Sequence, residues 1–354
     1  MKPFNDPVSS KTSINAESII ANLGNFGNLR FDRNLMYYPA RYGARISQAF
    51  TATDAVQVEI GDLIVLEDKD ICTPDGLYQF TDGVGSISRE LSQRIWSQLR
   101  KTRRQRPQRT APSAYHIRFK GSKGMVCVDH TLRGSVIRLR PSMIKFNAPE
   151  TTQDIEIARA CDRPGPYFLN RPLVMLLEGL GVPYKAFKDH QDIAIKATRK
   201  ATKSLKSAAA MMENHGLGSV YKVPFILKKL EKLEIVDLSG NDFYVRMREL
   251  AVNHVLRDLK FRARIPIPGA WTLVGVADTH RYLKPNQIFA CTRPVHGGLR
   301  YLSGRVLITR SPVIHPGDVQ IVEAIGAPPP NSCFEEEELQ NTVVFSVQGG
   351  DFLG

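Results

Sequence analysis

Residues Pro112–Asp129 read PSAYHIRFKGSKGMVCVD. Apolar and polar residues alternate through YHIRF, the glycine-bearing KGSKG follows, and MVCV supplies a second β-type run, so the stretch reads as a β-hairpin. Successive side chains of a strand point to opposite faces, which sends Arg118 and Lys120 to one face. Gly121 and Gly124 flank Lys123 and let a backbone approach a phosphate closely. The segment IRLRPSMIKF adds Arg138, Arg140 and Lys145. Spacing alone leaves two readings open here, a phosphate site and a basic hairpin exposed to solvent.

Working outward, VQVEI, LIVL and VIRLR are further short β-type runs punctuated by Gly, Pro and Asp, so residues 56–150 form a small β domain. One helical insertion interrupts it at Ser88–Arg100, where Ile87, Leu91, Ile95 and Leu99 recur every four residues. That helix runs into Arg100, Lys101, Arg103, Arg104, Arg106 and Arg109, whose mutual repulsion implies a solvated loop. Residues 151–262 carry helical periodicity almost throughout and read as a helical connector. Within it Lys196, Arg199, Lys200, Lys203 and Lys206 recur at helical spacing and give one cationic face, a nucleic-acid surface or simply a solvated one. Residues 263–354 return to β patterning in WTLVGVAD, QIFACTR, RVLIT, VQIVEAI and TVVFSV. Residues 1–55 are polar, turn-rich and without sustained period, and read as a leader or the remnant of a preceding domain. The order β, α, β gives an α+β class.

Composition narrows function. The 354 residues are 42% hydrophobic and 23% charged, which excludes a largely disordered chain and an integral membrane protein. Lys and Arg number 48 against 35 Asp and Glu, and a folded chain with a +13 surplus points to nucleic acid, nucleotides or an anionic surface. The five cysteines are far apart and lack a CxxC spacing, so neither a disulfide framework nor a cysteine zinc site is expected. With no apolar leader and no run near the roughly 20 residues that span a bilayer, a cytoplasmic or nuclear location is expected and no membrane partner.

Familiar catalytic motifs are absent: no GxxxxGK[ST], HExxH, GxSxG or GxGxxG occurs in its required context. The eight histidines, among them His116, His130, His280, His296 and His315, show no ligand spacing. Asp68-Lys69-Asp70 reads as a surface turn rather than a magnesium site, and Glu335–Glu338 as a solvated acidic loop.

Four stretches, in this order, resemble the eukaryotic cellular RNA-dependent RNA polymerases of RNA silencing. They are FTDGVGSIS (Phe80–Ser88); PSAYHIRFKGSKGMVCVD (Pro112–Asp129); LRPSMIKF (Leu139–Phe146) with FLNRPLVMLLEGLGVP (Phe168–Pro183); and GRVLITRSPVIHPGDVQIVEAI (Gly304–Ile325), the last preceded by WTLVGVAD and followed by NTVVFSV. The resemblance covers about residues 60–350. It implies two double-psi β-barrels joined by helices, and an RNA-directed RNA polymerase, a nucleotidyltransferase that copies a single-stranded RNA template from nucleoside triphosphates. Matched to the family, Arg118, Lys123 and Lys145 hold the incoming phosphates and the primer-end region, acting electrostatically on charge that develops during phosphoryl transfer. Lys120 and Arg140 join the RNA-binding surface, and ITRSP places Arg310 near the ribose or phosphates. HPGD, with His315 and Asp318, is expected to shape a turn.

The family's second barrel continues into an Asp-x-Asp-Gly-Asp loop that holds two Mg²⁺ ions. Here the Val343–Val347 strand is followed by QGGDFLG, with Asp351 the only carboxylate in that segment. The resemblance therefore implies Mg²⁺ as cofactor while this sequence supplies no metal ligand set. The expectation is a truncated second barrel and a chain inactive by itself. The alternative is a non-catalytic RNA-binding fragment or a decayed copy.

Overall fold

In the computed structural model, the described residues are 4–5, 13–14, 16–27, 29, 32–47, 54–56, 63–102, 110–148, 154–201, 203–219, 221–234, 238, 240–294 and 297–349. The tract at Arg103, Arg104, Arg106 and Arg109, and Asp351, lie outside them, as do His296 and the second half of the Asp-bearing tail.

The hairpin forms as its alternation dictates. Ala114–Phe119 and Ser122–Val128 pair antiparallel, with Arg118 opposite Lys123 and Phe119 opposite Ser122. Lys120 and Gly121 are left as a two-residue loop with φ of 45° and 77°, a left-handed pair of the kind that matches strand twist. Tyr115, Ile117 and Phe119 face the core, while His116 and Arg118 face the other way.

Around this hairpin a seven-stranded sheet runs in the order Asp54–Val56, Ile155–Ala160, Ala114–Phe119, Ser122–Val128, Val84–Ile87, Val136–Leu139, Ile64–Glu67. Two of its pairs are parallel, Val84–Ile87 with Ser122–Val128 and Ile64–Glu67 with Val136–Leu139. The helix Arg89–Thr102 lays Leu91, Ile95, Trp96 and Leu99 on this sheet, against Ile87, Ile117 and Ile137. That burial is the physical reason for its four-residue apolar spacing.

The sheet extends beyond the expected boundary at residue 150, because Ile155–Ala160 pairs with Ala114–Phe119 instead of belonging to the helices. Residues from the 1–55 stretch also fold onto it. Phe26, Leu29 and Leu35 are buried, Phe26 packs against Phe146 with ring centroids 4.9 Å apart and planes tilted by 32°, and Asn25 exchanges backbone hydrogen bonds with Asn147. Two helices, Ala16–Leu23 and Pro39–Ile46, accompany them.

The connector is helical from Arg171: Arg171–Gly179, Tyr184–Lys200, Leu205–Asn214, Val223–Lys232 and Asp242–Arg262 pack around a core including Phe187, Leu205, Met212, Val255 and Leu259. The cationic series is split between two helices, since the chain breaks at Ala201 and Ser204 caps the next helix by accepting from the Ser207 N–H.

The second sheet has six strands. Its path is Val274–Ala277, Thr342–Phe345, Gln287–Thr292, Val319–Ile325, Ser303–Thr309, with Arg300–Tyr301 beside Gln287–Thr292. It too contains two parallel pairs, Val274–Ala277 with Thr342–Phe345 and Gln287–Thr292 with Val319–Ile325. The two sheets meet directly: Val84 and Cys127 of the first pack into a cluster with Val276, Phe289 and Val344 of the second and with Phe334 and Leu339 from the segment that precedes its strand Thr342–Phe345. Polar ties at this seam include Ser113 Oγ accepting from the Gln340 N–H at 2.8 Å and Arg89 paired with Glu338 at 2.7 Å.

Candidate functional site

Arg118, Lys123 and Lys145 converge. The hairpin register sets Arg118 opposite Lys123, and the Lys145 N–H donates to the Gly121 carbonyl at 2.9 Å, tying the third lysine to the hairpin turn. The Lys145 ammonium donates to the Ser142 carbonyl. Ser142 is held in turn by Asp70, which accepts from its N–H at 2.9 Å and its hydroxyl at 2.7 Å, and Asp70 also accepts from Thr81 Oγ1 at 3.0 Å. The EDKD turn therefore has a structural task, with Asp70 fixing the short helical turn Pro141–Met143 that presents Lys145.

Arg45, on the helix Pro39–Ile46, joins the cluster. Burial holds the Lys123 amine below the ordinary lysine range, and Arg118 and Arg45 push it further the same way. Burial lowers Lys145 as well, followed by Arg45 and opposed by Asp82, with Lys123 adding to the lowering and Asp70 opposing it. His116, one strand position pair away from Arg118, is held below its usual value by burial and then by Arg118, Lys123 and Arg159. Arg118 itself has buried Nε and Nη1 donors that meet no acceptor among the described residues. Buried donors without acceptors and crowded like charges are both costly, and an anion relieves both at once.

The lowered amines have a consequence for stability. With folded values below the unfolded lysine value of 10.5, the unfolded chain binds more protons between the two, so stability rises with pH through that window. We expect the Lys123→Met, Lys145→Met double variant to be more stable than wild type near neutrality, with the gap narrowing as pH climbs towards 10.5. Chemical denaturation at a series of pH values measures the gap. A gap independent of pH would mean the two amines are not crowded.

The remaining expected residues lie elsewhere. Lys120 does not share the Arg118 face: it occupies the loop, exposed, with its ammonium 5.5 Å from the Phe119 ring centroid, because the pairing of Phe119 with Ser122 ends the alternation one residue early. Arg140 is 2% exposed, donates to the Lys69 carbonyl and pairs with Asp68 at 3.7 Å, so it anchors the EDKD turn from inside. Arg310 stands in the loop after Ser303–Thr309 on the second sheet, 3.7 Å from Asp318. The HPGD turn is a capped short helix. Asp318 accepts from the Ile314 and His315 N–H groups, and His315 Nδ1 accepts from the Gly317 N–H, so both residues shape the turn as expected.

Glu335–Glu338 departs from the expected solvated loop. Cys333–Glu337 is a short helix with Phe334 and Glu337 on one buried face, and Glu337 receives both His280 Nε2 at 2.8 Å and His130 Nδ1 at 3.3 Å. Sequence reasoning missed this meeting of histidines 150 positions apart, and it also missed Arg45.

The described residues do not fit the paired-magnesium role. Asp68 pairs with Arg138 and Arg140, and Asp70 accepts from Ser142 and Thr81, so both are already held by the protein's own donors.

The fold has a counterpart in the RNA dependent RNA polymerase QDE-1 from Thielavia terrestris, with a TM-score of 0.63 at 20% identity over 88% of this chain and 36% of that one. In sequence, the chain is 30% identical over 346 residues to "Probable RNA-dependent RNA polymerase 1" of Oryza sativa subsp. japonica, covering 96% of this chain and 42% of that protein. It is 28% identical over 340 residues to RNA-dependent RNA polymerase 1 of Arabidopsis thaliana, covering 95% of this chain and 28% of the other. The chain thus spans between about a quarter and two fifths of the length of these relatives. Residues 1–353 match the family described as RNA dependent RNA polymerase, so this basic two-sheet chain belongs to the RNA-dependent RNA polymerase family.

Proposed function

We propose that this chain forms the template- and nucleotide-holding part of an RNA-directed RNA polymerase, a nucleotidyltransferase that copies single-stranded RNA from nucleoside triphosphates in RNA silencing. The observation that carries this reading is the cluster of Arg118, Lys123, Lys145 and Arg45, with buried guanidinium donors awaiting acceptors. In this reading Arg118 grips a phosphate through a planar fork, and Lys123 and Lys145 act as point charges on its other oxygens. Their fixed positions matter most when charge spreads over the nonbridging oxygens and the leaving pyrophosphate. Arg310 reaches the same nucleotide from the second sheet. The matching parallel pairs in the two sheets support a double-psi arrangement for each. Mg²⁺ is the family's cofactor, and Asp68 and Asp70, held by Arg138, Arg140, Ser142 and Thr81, do not form its clamp. Among the described residues no helix is long and apolar enough to cross a membrane, and a cytoplasmic or nuclear site of action remains part of the proposal.

Holding RNA needs only the cations, so binding tests the reading without catalysis. The chain should bind single-stranded RNA with weak sequence preference, and each phosphate contact should contribute about 0.7 to the slope of log K against log salt. Fluorescence anisotropy across a salt series measures that slope. A flat salt response, or no binding at low salt, would overturn the proposal.

A further inference from the structure

At the seam between the sheets, Asp129, His130, His280 and Glu337 turn their ligand atoms inward, all within 4.8 Å of one another. The four come from three separate places. Asp129 and His130 follow the strand Ser122–Val128, His280 follows the strand Val274–Ala277, and Glu337 ends the helix Cys333–Glu337. We propose that these residues bind one zinc ion, which fastens the first sheet to the second.

The distances suit zinc. His280 Nε2 lies 2.8 Å from Glu337 Oε1 and 3.8 Å from Asp129 Oδ1, and His130 Nδ1 lies 3.3 Å from Glu337 Oε1. Tetrahedral ligands about 2.0–2.1 Å from zinc stand about 3.3 Å from each other. The three separations just given lie within about half an ångström of that edge, and the widest pair, up to 4.8 Å apart, closes by about 1.5 Å as the metal enters. Two carboxylates and two neutral imidazoles also balance a dication. Imidazole nitrogens favour a borderline metal, whereas magnesium requires near-octahedral oxygen coordination.

The surroundings resemble those of a built site. Asp129 Oδ1 is oriented by the Thr131 N–H at 2.9 Å and hydroxyl at 2.6 Å, and its Oδ2 accepts from Arg138 at 3.1 Å. Outer partners of this kind fix ligand orientation. Independently, Asp278 is 2% exposed and its Oδ1 has no hydrogen-bond partner among the described residues, although its Oδ2 accepts from the Leu283 N–H. Asp278 lines, with Asp129, His280 and Glu337, one small cavity of about 20 Å³, room for a single water-sized species. A buried carboxylate oxygen without a donor beside such a cavity is explained by a cation. The competing account is a metal-free clamp in which the histidines bond directly to Glu337.

This inference does not rest on the proposed function, and its test reads metal content, not polymerisation. The full chain is stripped with EDTA, titrated with zinc in a calorimeter, then gel-filtered and analysed for metal. Expected are one zinc per chain, retention in excess Mg²⁺, and an affinity loss above about tenfold in both His280→Ala and Glu337→Gln. Cobalt in place of zinc should give the visible absorption of a tetrahedral nitrogen and oxygen site with no thiolate charge-transfer band. Absence of stoichiometric zinc in the wild-type chain overturns the proposal, as does uptake undiminished in both variants. Should neither variant fold, the wild-type cobalt spectrum decides, and a thiolate band would place the metal on cysteines and overturn it.

Discussion

Lys123→Ala and Lys145→Ala, made in a polymerase that carries this segment within its full length, should each slow single-turnover nucleotide incorporation about 10²–10³-fold, or roughly 2.7–4 kcal/mol. The loss falls on the rate more than on RNA affinity, because a preorganised cation interacts more strongly with the charge of the transition state than with that of bound substrate. Both amines already stand where burial and neighbouring guanidinium groups disfavour a proton, so each is poised to gain from an arriving anion. Arg118→Lys should also be harmful, since an ammonium cannot reproduce a two-pronged contact from the buried Nε and Nη1 donors. If the hairpin were merely basic and solvent-facing, the three variants would show small, similar losses of affinity that vanish at higher salt, with the rate at saturating RNA unchanged.

The second large effect concerns the backbone that places Lys123. A Cβ on Gly124 would stand 2.2 Å from the Gly83 carbonyl oxygen, and one on Gly85 would stand 2.3 Å from the Arg138 carbonyl oxygen and 2.9 Å from Met143 Sδ. The Gly83 carbonyl cannot readily retreat from the first of these contacts, because the same oxygen accepts the Met125 N–H at 2.8 Å. Gly124→Ala and Gly85→Ala should therefore each cost more than about 3 kcal/mol of folding free energy. Gly179→Ala is the control: nothing lies within 4 Å of its Cβ position, and alanine in a helix is favoured by about 0.5–1 kcal/mol. Urea denaturation of the three variants checks the contrast. A Gly124→Ala midpoint equal to wild type would show that the strand pair can open.

Much of this was legible before the fold was known. The strands Ala114–Phe119 and Ser122–Val128 and the helix Arg89–Thr102 announce themselves because local periodicity and burial coincide. Ile155–Ala160 alternates just as well, yet its partner lies some forty positions earlier, and nothing local distinguishes a sheet strand from the start of a connector. Phe26, Leu29 and Leu35 bury themselves without any period because loops and short elements carry them, and the same stretch delivers Arg45 to the lysines. Glu337 was hidden among like charges. What turns it inward is Phe334, three residues earlier on the same helical face, together with two histidines that only tertiary folding brings together.

The central claim is that Lys123 and Lys145 form a phosphate site. Methyl-labelled lysines can be titrated by NMR in the folded chain, assigned by Lys→Arg variants, with and without a saturating nucleoside triphosphate. The account predicts that both amines titrate below the ordinary lysine value in the free chain and move upward together when the triphosphate binds. Titration curves that the triphosphate leaves unchanged at both lysines would contradict it.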